Sequence, residues 1–337
     1  MVSRSRKKVV LITGCDTGFG RLLAMKLCTL NEFHVVAGCL NETGRSQYEK
    51  LGNISTLLFD VTKADQVNAA IQEVSKICDG NGLYGVINNA GIVQFTPFEL
   101  ASDDSFRRVM EVNFFGMVAV TRGVLPLLRQ YKGNARVVNV ASVCGLISLP
   151  NHISYCCSKY AVEAFSDGLR REMLAFNVSV HCIEPGIFKT ELAQEKRIQD
   201  QVQKSWEEAN DELRSAYKGF EGLAAEIRAS VAAFESPRPE KVVNAICHAL
   251  TSNFPKMRYA VGWDANLMWK PTSMLPGWMQ NVVLFHVVPF YLSLDPKKMK
   301  IILGTGLLSL ILLMWFDYAT TFMMALTVVF ATITIFK

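Results

Sequence analysis

Nine cysteines are present, yet no CxxC pair and no His/Cys zinc spacing occur among them, which excludes zinc-ribbon and metal-cluster readings. Cys156 and Cys157 are adjacent and suit neither an ordinary disulfide nor a shared metal. The odd count and irregular spacing read as reduced, mostly buried thiols in a domain that faces the cytosol. Organised charge is also lacking. The net charge is +5 and the basic residues are scattered rather than striped, so no nucleic-acid partner is expected. One basic cluster, Arg4, Arg6, Lys7 and Lys8, runs directly into Val9-Val10-Leu11-Ile12 and reads as the solvated lead-in to a strand. Those four apolar residues before Thr13-Gly14 are too few for the h-region of a signal peptide. Internal repeats and low-complexity linkers are missing as well. Three glycosylation triplets begin at Asn41, Asn53 and Asn177, and they matter only if the domain enters a secretory lumen.

What is present is a chain of 337 residues, half of them hydrophobic, enough for one large α/β core. Short apolar runs alternate with stretches of helical periodicity. Val9–Thr13, His34–Cys39, Leu57–Asp60, Tyr84–Asn88, Arg136–Ala141, Ser179–Ile183 and Tyr259–Gly262 read as strands. Helices are expected at Phe19–Leu30, Lys63–Ile77, Phe106–Tyr131 with a kink at Pro126, from about Tyr155 to Phe176, and from Pro237 to Leu250. Such alternation implies right-handed βαβ units and a parallel, doubly wound sheet, whose ligands bind beyond the carboxyl ends of the strands. Residues 191–236 are charged and helix-prone, and they read as a helical flap beside the site. The chain divides into a catalytic domain, 1–295, and a hydrophobic tail, 296–337.

Chemistry-bearing residues fall at the strand ends. Thr13-Gly14-Cys15-Asp16-Thr17-Gly18-Phe19-Gly20 follows the first strand. Gly14, Gly18 and Gly20, spaced Gly-x3-Gly-x-Gly, let a turn tighten and a pyrophosphate approach the helix that begins at Phe19. After the second strand Cys39 stands where an aspartate is expected, and no basic residue in Gly38–Glu42 could pair a 2′-phosphate. Asp16 would repel one, with Arg45 the only nearby cation, so NAD is preferred to NADP. Asp60 is placed either to hold the adenine amino group or to cap the helix that follows. Tyr155 and Lys159 stand one helical turn apart, thirteen residues after Ser142 for the tyrosine. On a shared face, an ammonium can lower the pKa of a phenol.

Together with Asn113 in Glu111-Val112-Asn113-Phe114, these motifs (TGCDTGFG, NNAG, VNVAS, YCCSK and EPGIFKT) resemble the short-chain dehydrogenase/reductase family across about residues 9–190. The resemblance implies a Rossmann-like fold with Tyr155 as general acid/base and Lys159 lowering its pKa and holding the nicotinamide ribose. It implies that Ser142 hydrogen-bonds the substrate oxygen and that Asn113 supports a water-linked proton relay. Phe19, Asn89 and Gly91 would line the cofactor, with Pro185, Gly186 and Thr190 on its nicotinamide side. FDVTK, EVNFFG, VEAFSDGLRREM and RYAVGWDANL are similar to the branch of retinol, microsomal 17β-hydroxysteroid and D-3-hydroxybutyrate dehydrogenases. Many retinol dehydrogenases of that branch begin with an apolar anchor, whereas this chain ends in one.

From Ile301 to Phe336 the only charge is Asp317, with Lys297, Lys298 and Lys300 before the run and Lys337 after it. As one helix the run would be about 54 Å long, well beyond a hydrocarbon core of about 30 Å. A hairpin turning near Asp317 puts the lysines on one side, and a single tail anchor is the other arrangement. Asn281–Leu294 would lie at the membrane surface. The expected substrate is therefore a lipid-dissolved alcohol or ketone, a retinoid or steroid. The alternatives are a 3-hydroxybutyrate-type enzyme and a membrane-tethered dinucleotide sensor without turnover. An endoplasmic reticulum membrane is expected, with a mitochondrial membrane as the alternative, and a homodimer is implied by the resemblance.

Overall fold

The computed structural model describes residues 7–217 and 220–284. Arg4, Arg6 and the hydrophobic tail with its flanking lysines lie outside the described residues. Two compact units are distinguished, Met1–Lys270 and Pro271–Lys337. Of the second, the described part contains the helix Gly277–Val282.

The first unit alternates strand and helix. In chain order it runs β1 (Lys8–Ile12), α1 (Gly18–Cys28), β2 (Phe33–Cys39), a short α2 (Glu42–Ser46), β3 (Ile54–Leu58), α3 (Ala64–Cys78) and β4 (Gly85–Asn88). There follow α4 (Asp103–Met110), a π turn over Glu111–Phe115, α5 (Gly116–Gln130), β5 (Ala135–Val140), α6 (Ile153–Met173) and β6 (Val178–Pro185). Then come α7 (Glu195–Glu208), α8 (Asp211–Ala216), α9 (Leu223–Phe234), α10 (Glu240–Thr251) and β7 (Arg258–Val261). All seven strands are parallel, in the order β3-β2-β1-β4-β5-β6-β7. The order reverses between β1 and β4, and ligands in such sheets bind in the crevice at that point.

Strand residues alternate between two apolar layers, as the period of a β-strand requires. Val10 and Ile12 pack with Leu23, Leu27, Ile246 and Leu250 of α1 and α10. Val9 and Leu11 face the other way, onto Val67, Val74, Val120, Val124 and Leu169 of α3, α5 and α6. Burial on both faces is why β5 is buried throughout, with Arg136 and Asn139 its only polar residues. A polar ladder crosses the second layer. Asn88 Nδ2 donates to Thr121 Oγ1 at 2.9 Å and to Asn139 Oδ1 at 2.8 Å, and Asn139 Nδ2 donates to Ser166 Oγ at 2.9 Å. Buried amides need such partners, and these tie α5 and α6 to the sheet.

Helical structure continues through Pro126 to Gln130, and the departure from α geometry falls earlier, at the π turn that contains Asn113. Among the described residues one helical stretch, Asp103–Gln130, is long and apolar enough to cross a membrane. Val120, Val124 and Leu128 sit in the core beneath the sheet, so that apolarity serves burial here. The three glycosylation-triplet asparagines have structural work: Asn41 accepts from Gly44 N, while Asn53 and Asn177 take left-handed turns and donate to Cys28 O and Gly133 O. Every cysteine is a free thiol, and only Cys157 is exposed.

Candidate active site

At the carboxyl ends of the strands lies a cavity of about 340 Å³. Gly14, Asp16, Gly18, Phe19, Asp60, Asn89, Gly91, Ser142, Tyr155, Lys159, Pro185, Gly186 and Thr190 all line it, whereas Gly20 and Asn113 stand behind its wall. The glycine turn explains itself by space. Gly14 has φ +69°, and a Cβ there would lie 2.7 Å from Ala90 Cα; a Cβ at Gly20 would lie 2.3 Å from Gly14 O. Gly20 therefore packs the helix against the turn. Thr17 starts α1 without a side-chain cap, which leaves helix N–H groups free for an anion. A dinucleotide pyrophosphate fits the bare glycines and the uncapped helix N-terminus, with the Glu191 carboxylate the nearest side chain in front of Gly18, 3.7 Å from where its Cβ would lie.

Asn89 holds the turn in place. Its Nδ2 donates to Thr13 O at 2.9 Å and Gly14 O at 3.0 Å. Phe19 packs edge-on to Phe188, with ring centroids 5.9 Å apart. The Asp16 carboxylate reaches the end of β2, accepting from Leu40 N at 2.9 Å and Asn41 N at 3.2 Å. The acidic group missing at Cys39 is thus supplied by the glycine turn. Asp60 Oδ1 accepts from Thr62 N and Thr62 Oγ1 at 2.9 and 2.8 Å, a local turn rather than the expected helix cap, since Lys63 precedes α3 without a side-chain cap, and the residue borders the cavity.

Tyr155 and Lys159 share a face of α6, as the spacing requires. Ser142 lies two residues past the end of β5, and its Oγ accepts from Cys144 N at 3.2 Å. Burial is the largest influence on the Tyr155 phenol and pushes it above its ordinary range; a hydrogen bond from Ser142 pulls the other way. The expected lowering by Lys159 is not among the influences on the phenol. Its ammonium lies 5.5 Å from the centroid of the Tyr155 ring and donates to Val140 O at 2.8 Å. Burial draws that ammonium down to about 8, opposed by Cys182, Cys144 and Glu163. Asn113 Oδ1 accepts from Ile92 N at 2.8 Å, and its Nδ2 donates to Ile92 O and Ser158 Oγ, both at 2.9 Å. Ser158 in turn donates to Tyr155 O at 2.7 Å. The asparagine side chain is fully engaged by protein, clamping the β4 loop to α6.

Several residues of the site escape a reading by motif. Buried Asp264 accepts from Ile187 N at 2.7 Å and Trp269 Nε1 at 3.1 Å, fixing the loop after β6. His152, one turn before Tyr155, meets Phe95 edge-on at 4.8 Å and lines the cavity. Its spacing from Tyr155 was the available signal. The 191–236 flap is more than a solvated insertion. Ile198, Val202, Phe220, Ile227 and Val231 form its own core with Val93 and Phe95, and Trp206 stacks on Phe220 at 4.5 Å. Gln201 fastens it to the β4 loop, accepting from Phe95 N at 3.0 Å and donating to Val93 O at 2.9 Å. Arg197 lines the cavity from the same helix, unmarked in sequence among many charged neighbours.

A family profile described as short chain dehydrogenase matches residues 8–201. Retinol dehydrogenase 7 of Rattus norvegicus is 40% identical over 289 residues, 85% of this chain and 90% of that protein. Retinol dehydrogenase 16 of Homo sapiens is 40% identical over 295 residues, 86% of this chain and 91% of that one. Among solved structures, a short chain dehydrogenase/reductase from Burkholderia phymatum in complex with NAD has a TM-score of 0.66 at 21% identity, covering 83% of this chain and 95% of its own. Another, from Burkholderia cenocepacia J2315 in complex with NADP, has a TM-score of 0.63 at 21% identity, covering 83% and 98%. These two share the fold, and one of each dinucleotide is found in them. A glycine turn, an uncapped helix and a Ser-Tyr-Lys group in one cavity, with relatives matched over most of their length, lead to one conclusion: the chain belongs to the short chain dehydrogenase family, as an alcohol/carbonyl oxidoreductase with a dinucleotide site.

Proposed function

We propose that this protein is an NAD-dependent oxidoreductase that interconverts an apolar alcohol and its carbonyl, with a retinoid or steroid as the substrate class. The observation that carries this reading is a single cavity with the glycine turn on one side, Ser142 and Tyr155 between, and Val93, Phe95, Leu149, Leu192 and Val231 on the other. An apolar wall suits a hydrophobic substrate body and argues against a small, polar 3-hydroxy acid. The names of the retinol dehydrogenase relatives support the retinoid choice.

Bound NAD supplies the hydride acceptor at the carbinol carbon, and NADH the donor. The chain's residues manage the proton. For reduction, the Tyr155 phenol, held protonated by burial, donates to the carbonyl oxygen while Ser142 hydrogen-bonds the same atom. For oxidation, the phenolate accepts the hydroxyl proton, aided by the adjacent Lys159 charge. Because the Asn113 side chain is spent on Ile92 and Ser158, its part in a proton relay falls to the backbone. Asn113 lies in a π turn, the kind of local widening often found at functional sites.

NAD is favoured over NADP by Asp16, whose charge at the end of β2 would repel a 2′-phosphate. Arg45, the cation nearest that end, is paired with Glu42 at 3.0 Å. The apolar run Ile301–Phe336 supports attachment to a membrane, that of the endoplasmic reticulum with the catalytic domain in the cytosol, and the free thiols agree. A mitochondrial membrane is the alternative, and a homodimer is carried over from the family. The test is a panel of retinol, 3α- and 17β-hydroxysteroids and 3-hydroxybutyrate, run with NAD and NADP on vesicle-reconstituted protein. Turnover of 3-hydroxybutyrate alone would sink the reading.

A further inference from the structure

Arg197 stands on α7 one helical turn before Gln201, whose side chain grips Val93 and Phe95 of the facing loop. Residues four apart share a helix face, so Arg197 is on the side of α7 that Gln201 turns toward that loop, and Leu192 and Ala193 line the same cavity. It lines the cavity together with Tyr155, His152 and Phe95. Its guanidinium is half withdrawn from water, and burial lowers its pKa with no carboxylate opposing the shift. Among the described residues it makes no ion pair. By contrast, Arg214 on α8 is paired with Asp211, and Arg228 on α9 with Glu235.

A partly desolvated cation without a counter-charge costs free energy, and a ligand that brings the acceptor removes that cost. Guanidinium takes a carboxylate through two parallel hydrogen bonds, a match few other groups provide. Val93, Phe95, Leu149, Ile187, Leu192 and Val231 supply an apolar wall for the body of such a ligand, while Arg197 shares the lining with the polar side chains of Arg108, His152 and Glu191. The phosphates of a dinucleotide already have a seat in the uncapped start of α1.

We propose that Arg197 docks a carboxylate at the far end of an apolar alcohol whose hydroxyl reacts at Tyr155. The proposal rests on the alcohol oxidoreductase reading above and narrows its substrate class to apolar hydroxy acids, with the neutral alcohol as the weaker substrate. The cation binds the end of the molecule that does not react, so it holds ground and transition states alike, and the preference appears chiefly in KM.

The experiment uses full-length protein in vesicles with NAD and three matched compounds: a long-chain ω-hydroxy fatty acid, its methyl ester, and the unsubstituted alcohol of equal length. The acid is expected to exceed the ester roughly tenfold or more in kcat/KM, the scale of a charge-assisted hydrogen bond. In Arg197→Met that ratio falls to near one, and in Arg197→Lys part of it survives. A wild-type ratio near one, or a ratio unchanged in Arg197→Met, overturns the proposal. So does a rise in the NAD KM that is equal for all three compounds with the ratio intact, because it assigns Arg197 to the dinucleotide. Thermal stabilisation by acid and ester, read without turnover, separates the two readings. Acid-selective stabilisation that depends on Arg197, with no turnover of any alcohol, sinks the reaction but upholds the subsite.

Discussion

The Asp264 carboxylate occupies the space directly in front of Gly186: a Cβ at residue 186 would lie 2.1 Å from Asp264 Oδ1. The same carboxylate holds Ile187 N at 2.7 Å. A buried side chain from beyond β7 thus sets the loop after β6 that lines the cavity, and only glycine leaves it room. Asp264→Ala strands the Ile187 N–H without its acceptor, which costs about 1–3 kcal/mol. A lower urea midpoint and a raised NAD KM are expected, with Asp264→Asn intermediate. Unchanged NADH binding, followed by fluorescence, would remove Asp264 from the cofactor wall.

Tyr155→Phe keeps the ring against its apolar neighbours and removes the proton. Turnover should fall by about 10²–10⁴-fold, with NADH binding and thermal stability retained. Ser142→Ala removes the one hydrogen bond that pulls the phenol down, so the pH midpoint of kcat/KM for alcohol oxidation should move upward. Intact turnover in Tyr155→Phe with every alcohol tested is the result that rejects the mechanism.

Asp16 supplies the negative charge at the end of β2, accepting from Leu40 N at 2.9 Å. Asp16→Ser removes the repulsion of a 2′-phosphate, and the NADP-to-NAD ratio of kcat/KM should rise at least tenfold, or about 1.4 kcal/mol. Steady-state assays with both dinucleotides check it, and a ratio that stays constant refutes the assignment.

Arg258 gathers three carboxylates: Glu184 at 3.0 Å, Asp167 at 2.8 Å, and Glu163 in direct contact. Burial and the neighbouring Glu184 push Glu163 up from 4.5 to about 7, with Arg258 opposing. A folded-state pKa above the unfolded one means that its stabilising proton is fully present below pH 4.5 and lost as pH rises through about 7. At about 1.4 kcal/mol per pH unit, this one group contributes a loss on the order of 3 kcal/mol across the window. Glu163→Gln should flatten that slope in urea unfolding. His181, which burial lowers to about 4, acts in the opposite sense as pH falls through 6.5, so the group is isolated by the difference between wild type and variant.

Local periodicity made the sheet legible. Val9–Thr13 and Arg136–Ala141 are predominantly apolar because their strands are buried on both faces, and each site motif falls just past such a run. The π turn at Glu111–Phe115 was not legible, since Pro126 is the stronger local signal for an irregular helix and the wider turn depends on Asn113 clamping Ile92 to α6. The flap was legible as helix but not as a wall, because Ile198 and Val231 become apolar contacts only when Gln201 brings α7 onto Phe95.

Sequence alone determined what one helical turn or one strand end can determine. It put Tyr155 and Lys159 on a common face and left bare glycines where a helix begins, since both depend on residues a few positions apart. Tertiary structure decided the electrostatics and the walls. Burial rather than Lys159 sets the Tyr155 phenol, Asp16 reaches the end of β2 near Cys39, and Asp264 and Arg197 arrive from distant elements. Each of these depends on desolvation or on contacts across many residues, and neither is encoded in spacing along the chain.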